Sequence, residues 1–193
     1  ASLPQNELPD FLRLLEDYDS KGRLLTKLAI KLLVLTFVRS GELRGANWSE
    51  FDLADKIWRI PATRMKMKTE HLVPLSDQAL EVIEQIRPIT SQYSLVFPSE
   101  RHRNEPMSDN TMRKAIFKMG YDGHTSGKSK AVPHGFRATA SSILNEQGFN
   151  PDAIERQLAH MERNSVRAAY THHARYLDER AEMMQWWADY LYQ

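Results

Sequence analysis

The chain has 193 residues, no cysteine, and a net charge of +1 from 26 Lys and Arg against 25 Asp and Glu. One domain of ordinary size is expected, and the missing thiols exclude cysteine catalysis, zinc–thiolate sites, iron–sulfur clusters and disulfide staples. Mean hydropathy is −0.55, and the longest mainly apolar stretch, Leu32 to Val38, is far short of the ~20 residues that cross a bilayer. The N-terminus has no basic segment followed by an apolar run, so neither a signal peptide nor a membrane partner is expected, and the chain reads as cytoplasmic.

The elements follow in order. An acidic start, net −2 over residues 1–24, leads into Leu24, Leu25, Leu28, Ile30, Leu32, Leu33, Leu35 and Val38, too apolar for a surface helix and expected to be buried nearly all round. Between Trp48 and Leu75 the period changes. Ile57-Trp58-Arg59-Ile60 alternates, Pro61 interrupts, and His71-Leu72-Val73-Pro74-Leu75 is a short apolar run; a three-stranded antiparallel sheet inserted in a helical domain is predicted. Ser76 is the expected N-cap of a helix carrying Leu80, Ile83 and Ile86, with Pro88 beyond its end. Ser108 is expected to cap another, with Met112, Ile116 and Met119, that stops at Gly120. Residues 120–132, with three glycines, read as a flexible loop. A helix from about Phe136 to Gln147 leaves at Gly148, Asn150-Pro151 supplies N-cap and first residue of the next, and a last amphipathic helix begins near Leu177. The fold class is mainly α with a small antiparallel three-stranded β-sheet.

The charge total argues against a nucleic-acid partner, but its distribution does not. Residues 101–137 hold eight basic against three acidic side chains, net +5, and residues 176–193 are net −3. A basic middle between acidic ends is an electrostatic footprint for phosphates, though most basic stretches are only solvated faces.

Several chemistries fail on spacing. Gly127-Lys128-Ser129 has Asp122 where a phosphate-binding loop needs its first glycine, and it follows a helix rather than a strand. Among seven histidines none forms HExxH, and His172 and His173 are adjacent, so their side chains diverge on a helix. No carboxylate cluster suggests a two-metal nuclease, and no glycine-rich dinucleotide fingerprint is present. What remains is cationic. His134 and Arg137 stand three apart at a helix start, on one face, where both can reach one phosphate. Taken alone, such a pair is far more often just the capping histidine and surface arginine of a helix. Its surroundings are Arg39 at the end of the apolar helix, Lys66 between two strands, and Gln157-Leu158-Ala159-His160 followed ten residues later by Tyr170.

In this order the set resembles the catalytic domain of tyrosine recombinases, the phage-integrase family. The wording FVRSGELRGANWSEFDL, RMKMKTEHLVPLS, HGFRATASSILNE and MMQWWADYL is similar to prophage and genomic-island integrases of satellite-phage type, over the chain from about Leu8 to its end. The resemblance implies the catalytic-domain fold of DNA breaking–rejoining enzymes, with a catalytic domain over 1–175 and a helical tail over 176–193 that belongs to the same domain or reaches a neighbouring protomer. It implies N-terminal DNA-binding domains preceding Ala1. It also implies metal-free strand cleavage through a 3′-phosphotyrosyl intermediate, with no cofactor. In that scheme Arg39 and Arg137 hold the phosphate, with Arg44 competing for the first place. Lys66 is the general acid, with Lys68 as the alternative. His134 helps deprotonate Tyr170, chosen over Tyr176 by its distance from His160; His160 hydrogen-bonds the phosphate and Glu42 orients the site. The family's usual glycine before that last histidine is Ala159 here.

The implied partners are double-stranded DNA attachment sites and three further copies in a tetramer on DNA, the isolated fragment being a monomer. The implied setting is the bacterial cytoplasm, in association with the nucleoid, and the implied role is integration and excision of a prophage or genomic island. Rival readings are strand relaxation in the manner of a type IB topoisomerase, a catalytically idle DNA-binding module, and a metal-dependent nuclease.

Overall fold

The computed structural model describes residues 1–160 and 176–193. Eight α-helices are named here: α1 Leu8–Glu16, α2 Leu24–Thr36, α3 Ser40–Arg44, α4 Asp77–Thr90, α5 Thr111–Lys118, α6 Gly135–Glu146, α7 Pro151–Gln157 and α8 Leu177–Leu191. Three strands, β1 Phe51–Asp52, β2 Ile57–Ile60 and β3 His71–Pro74, form one antiparallel sheet in that order. The mainly helical chain with a small sheet is therefore as the sequence predicts.

The core is organised around α2. Its apolar residues face every direction, and it packs against α1, α4, α5, α6 and α8. Leu28, Ala29, Ile30, Leu32 and Leu33 are fully buried. A helix this apolar has no solvent face to spare, so its two lysines reach back to α1 and the turn after it. Lys27 Nζ donates to the Glu16 carbonyl (2.5 Å) and to Asp19 (3.0 Å), and Lys31 Nζ to Glu16 Oε1 (2.6 Å).

The sheet is a platform for the β2–β3 connection. Trp58 pairs with Val73 and Ile60 with His71; Trp58 and Ile60 are buried on one face, while on the other Ile57 is buried and Arg59 exposed. Phe51 stacks on Trp58 at 5.1 Å between ring centroids, which holds the short β1 strand in place. All four residues of β3 are buried, since α8 packs on that strand.

Two helix boundaries differ from expectation. Pro88 lies inside α4 rather than beyond it. Its missing N–H falls in the last turn, and tertiary bonds carry the helix on to Thr90: the Trp48 indole donates to the Thr90 carbonyl (3.1 Å), and Thr90 Oγ1 donates to the Val96 carbonyl (2.8 Å). Ser108 does not cap α5. Its Oγ accepts from Asn110 N (3.2 Å), closing a turn that places Asn110 at the cap position. The other signals are observed, with Ser76 capping α4 at Ala79 N (3.1 Å) and Asn150 capping α7 at Asp152 N (3.0 Å). The loop at 120–132 contains no helix or strand, yet it is tethered: Glu7 accepts from both Ser129 N (2.8 Å) and Ser129 Oγ, and Ala131 N donates to the Tyr121 carbonyl (3.0 Å).

α8 lays Arg180, Met183, Met184, Trp187, Ala188 and Leu191 on the body of its own chain. The Trp187 indole donates to the Val34 carbonyl (2.9 Å), and its ring meets Phe37 edge-on. Trp187→Ala should cost about 3–5 kcal/mol, measured as a lowered urea midpoint; a loss under about 1 kcal/mol would show that α8 is not docked there.

Candidate functional site

Arg39 stands where α2 gives way to α3. α2 closes on Phe37, fully buried at a left-handed φ of 38°, a conformation that costs an L-residue roughly 1–2 kcal/mol. Burial of the ring offsets that cost and the chain reverses, leaving Arg39 extended at the N-cap of α3. Glu42 then grips it twice: Oε2 accepts the Arg39 backbone N–H (3.1 Å) and Oε1 accepts Nη1 (3.2 Å). The Glu42 side chain is 5% exposed and that of Arg39 25%, so the cation is oriented by a buried partner and remains accessible. Arg44 donates through Nη1 to the Met107 carbonyl (3.0 Å). Of these two arginines, it is Arg39 whose charge acts on His134 and Arg137.

Arg137 occupies the first turn of α6 and is 5% exposed. Nη1 donates to the Phe37 carbonyl (2.8 Å) and Nη2 to the Leu158 carbonyl (2.6 Å). These are the C-terminal ends of α2 and α7, where helix dipoles concentrate negative charge. Burial, with Arg39 adding repulsion, lowers the Arg137 pKa to about 10, so the guanidinium stays charged at neutral pH. It has five N–H donors, and among the described residues its hydrogen bonds are those to the two carbonyls. His134, exposed at the N-cap of α6, has its pKa pushed below the usual imidazole value by partial burial and then by Arg137 and Arg39.

His160 is placed by the end of α7. Its N–H bonds the Glu155 carbonyl (3.1 Å) and Ala159 N bonds the Arg156 carbonyl (3.0 Å), the paired bonds of a Schellman cap. Ala159 takes the left-handed place, φ 54°, where glycine is usual, which gives a physical reason for the glycine that often precedes this histidine in the resemblance. His160 Nδ1 lies 2.5 Å from Glu155 Oε2. Lys66 and Lys68 are both exposed in the β2–β3 connection, where Lys68 N donates to the Met65 carbonyl (3.0 Å). Tyr170 falls in 161–175, outside the described residues.

The fold thus brings Arg39, His134, Arg137 and His160 from three separate segments close enough for their charges to act on one another. Such a group of cations and imidazoles around helix ends can hold a tetrahedral oxyanion and move a proton beside it.

Sequence reasoning missed the residues that brace this group. Arg180 is fully buried, donating through Nε (3.1 Å) and Nη2 (2.9 Å) to Gln157 Oε1 and through Nη2 to the Leu72 carbonyl; Gln157 Nε2 donates to the Thr36 carbonyl (3.4 Å). A signal existed. Arg180 is the one charged residue on the stripe 180, 183, 184, 187, 188, 191, at helical spacing on the buried face of α8. Among the described residues, no group of three or more His, Cys, Asp or Glu is arranged to hold a metal, and no helix is long and apolar enough to cross a membrane.

The phage integrase family model matches residues 1–176. The integrase of Enterobacteria phage P4 is 48% identical over 203 aligned residues, covering 98% of this chain and 45% of that protein. The chain spans about half the length of the curated relatives it matches. Among solved structures, the integrase from mycobacterium phage Brujita superposes with a TM-score of 0.69 at 17% identity, over 96% of this chain and 58% of that one. A lambda integrase tetramer bound to a Holliday junction gives 0.61 at 19% identity, over 86% and 47%.

Ala159→Gly should stabilise the protein by about 0.5–1 kcal/mol, read as a raised urea midpoint at constant slope; destabilisation would contradict the left-handed strain. His134 should titrate below 6.5 by NMR. Because the folded state then binds fewer protons than the unfolded chain, the contribution of His134 is complete above pH 6.5 and is lost as pH falls through its folded pKa. His134→Gln should remove that part of the acid destabilisation.

Proposed function

Because the chain belongs to the phage integrase family, we propose that it is the catalytic domain of a tyrosine-type site-specific DNA recombinase, acting at attachment sites to integrate and excise a prophage or genomic island. The observation that carries this reading is the convergence of Arg39, His134, Arg137 and His160 at the ends of α2, α6 and α7.

The chemistry follows from those positions. Arg39 and Arg137 neutralise the non-bridging oxygens of one phosphodiester, and their support from Glu42 and two backbone carbonyls pre-orients them before charge develops. Tyr170, with an ordinary phenol pKa near ~10, must lose its proton to attack. His134, kept neutral by partial burial and then by its cationic neighbours, takes that proton. The Tyr170 oxygen–phosphorus bond forms while the bond to the 5′ oxygen breaks, and Lys66 gives that oxygen a proton, since an alkoxide leaves poorly. His160, aligned by Glu155, donates to the phosphate. The ester energy is kept in the 3′-phosphotyrosyl bond, and the 5′-hydroxyl of a second strand reverses the sequence to reseal.

Four protomers on two duplexes complete strand exchange, as the lambda integrase tetramer on its junction suggests by analogy. The rest of the whole protein, about half its length by comparison with its relatives, supplies further DNA contacts, so this chain alone binds DNA weakly. It works in the bacterial cytoplasm, where the DNA is.

Incubated with a nicked duplex that traps cleavage, the wild-type chain should form a covalent protein–DNA adduct and Tyr170→Phe none. Arg137→Lys, which loses the two-pronged geometry, should slow adduct formation by about 10²–10³-fold. An adduct with Tyr170→Phe, or none with the wild type at saturating protein, would sink the proposal.

A further inference from the structure

Lys66 lies in an exposed turn, yet proton donation to a leaving oxygen demands placement within hydrogen-bond reach. The structure shows what anchors that turn. Two residues upstream, Arg64 reaches across to the segment after α3. Its Nε donates to Glu50 Oε2 (2.7 Å) and its Nη2 to Glu50 Oε1 (2.7 Å), a two-pronged pair. Nη2 also donates to the Glu42 carbonyl (3.2 Å), and Glu42 is the residue whose carboxylate holds Arg39. Glu50 is itself fixed, since its Oε1 accepts from the Trp58 indole (3.1 Å) and from Asn47 N (3.2 Å), and its side chain is 7% exposed. Gly45 completes the seat: a Cβ there would come within 2.6 Å of Arg64 Nη1. Next in the chain, Met65 is 4% exposed in the core, and the exposed turn begins with Lys66.

A buried ion pair of this kind is a weak device for stability alone, because well-packed apolar residues of similar volume serve as well or better. What it supplies is direction. The fork has one orientation, and it ties the hairpin to the same short helix that orients Arg39.

We propose that Arg64 is a positioning residue for Lys66, holding the root of the β2–β3 connection against Glu50 and the Glu42 carbonyl so that the lysine meets the leaving oxygen. This rests on the reading of Lys66 as proton donor, and the experiment separates the two. A nicked duplex spanning one end of the integrated element is made with oxygen or with sulfur at the 5′-bridging position of the scissile phosphate. A thiol has a pKa near ~8.5, so sulfur leaves as the thiolate without a proton. Adduct formation is then timed at saturating protein.

Lys66→Ala should slow the oxygen substrate by about 10²–10⁴-fold and recover almost fully with sulfur. Arg64→Met should slow the oxygen substrate by roughly 10–100-fold, recover with sulfur in the same way, and be partly rescued by Arg64→Lys. Gly45→Ala tests the same seat without removing a charge, at a backbone φ of −84° that alanine accepts, and serves if Arg64→Met melts below the assay temperature. It should give a smaller defect of the same sulfur-sensitive kind. Equal slowing of both substrates by the Arg64 and Gly45 variants, or no slowing of either, would overturn the role of Arg64. Failure of sulfur to rescue Lys66→Ala would overturn the lysine assignment instead.

Discussion

A helix that ends inside a protein must find donors for its last carbonyls, and α2 ends at the centre of this one. The Trp187 indole from α8 takes the Val34 carbonyl, the Gln157 amide from α7 takes that of Thr36, and the Arg137 guanidinium from α6 takes that of Phe37. Three helices distant in sequence are therefore docked onto one turn by groups that would each be costly to leave unpaired. The negative end of the α2 dipole makes the same spot a seat for a cation, and the left-handed Phe37 turns the chain so that Arg39 follows at once. Both the fold and the arginines proposed to hold the phosphate thus depend on a single helix terminus.

The same economy explains how a chain of net charge +1 gathers cations. Arg39 and Arg137 repel each other, and the structure offsets that with one buried carboxylate, Glu42, and with backbone carbonyls that contribute partial negative charge. A carbonyl orients a guanidinium without neutralising it, so its positive charge is preserved. Global charge says little about such a site; what matters is its distribution, net +5 over residues 101–137 between ends that are net −2 and −3.

The buried polar groups around the cluster work in series. Arg180 links α8 to α7 and to β3, and Arg64 links the β2–β3 connection to α3. Each spans elements that carry proposed reacting groups, Lys66 on the hairpin, Arg39 before α3 and His160 after α7. Apolar contacts at these places would leave the elements free to slide, whereas a guanidinium bonded on two sides sets both distance and angle.

Much of this was legible in the residues. The all-round apolarity of α2, the alternation of β2, the Asn150-Pro151 start of α7 and the exits at Gly120 and Gly148 are local signals, governed by periodicity and by backbone sterics that act within a few residues. The ordered arginines, histidines, lysine and tyrosine were legible as a set because their spacing along the chain survives folding. The extension of α4 through Pro88 was not, because bonds from Trp48 and to Val96 decide it. Nor was the bracing by Arg64, Glu50, Gln157 and Arg180, which rests on bonds such as Arg64–Glu50, Arg180–Leu72 and Gln157–Thr36 that join residues 14, 108 and 121 apart. By itself, then, the sequence determined which segments are helical or extended and which side chains are proposed to carry the chemistry, since those readings depend on neighbours in the chain. Tertiary structure alone decided that the orphan carbonyls of α2 would be the place where the cations meet, because a helix end acquires its partners only when other helices are packed against it.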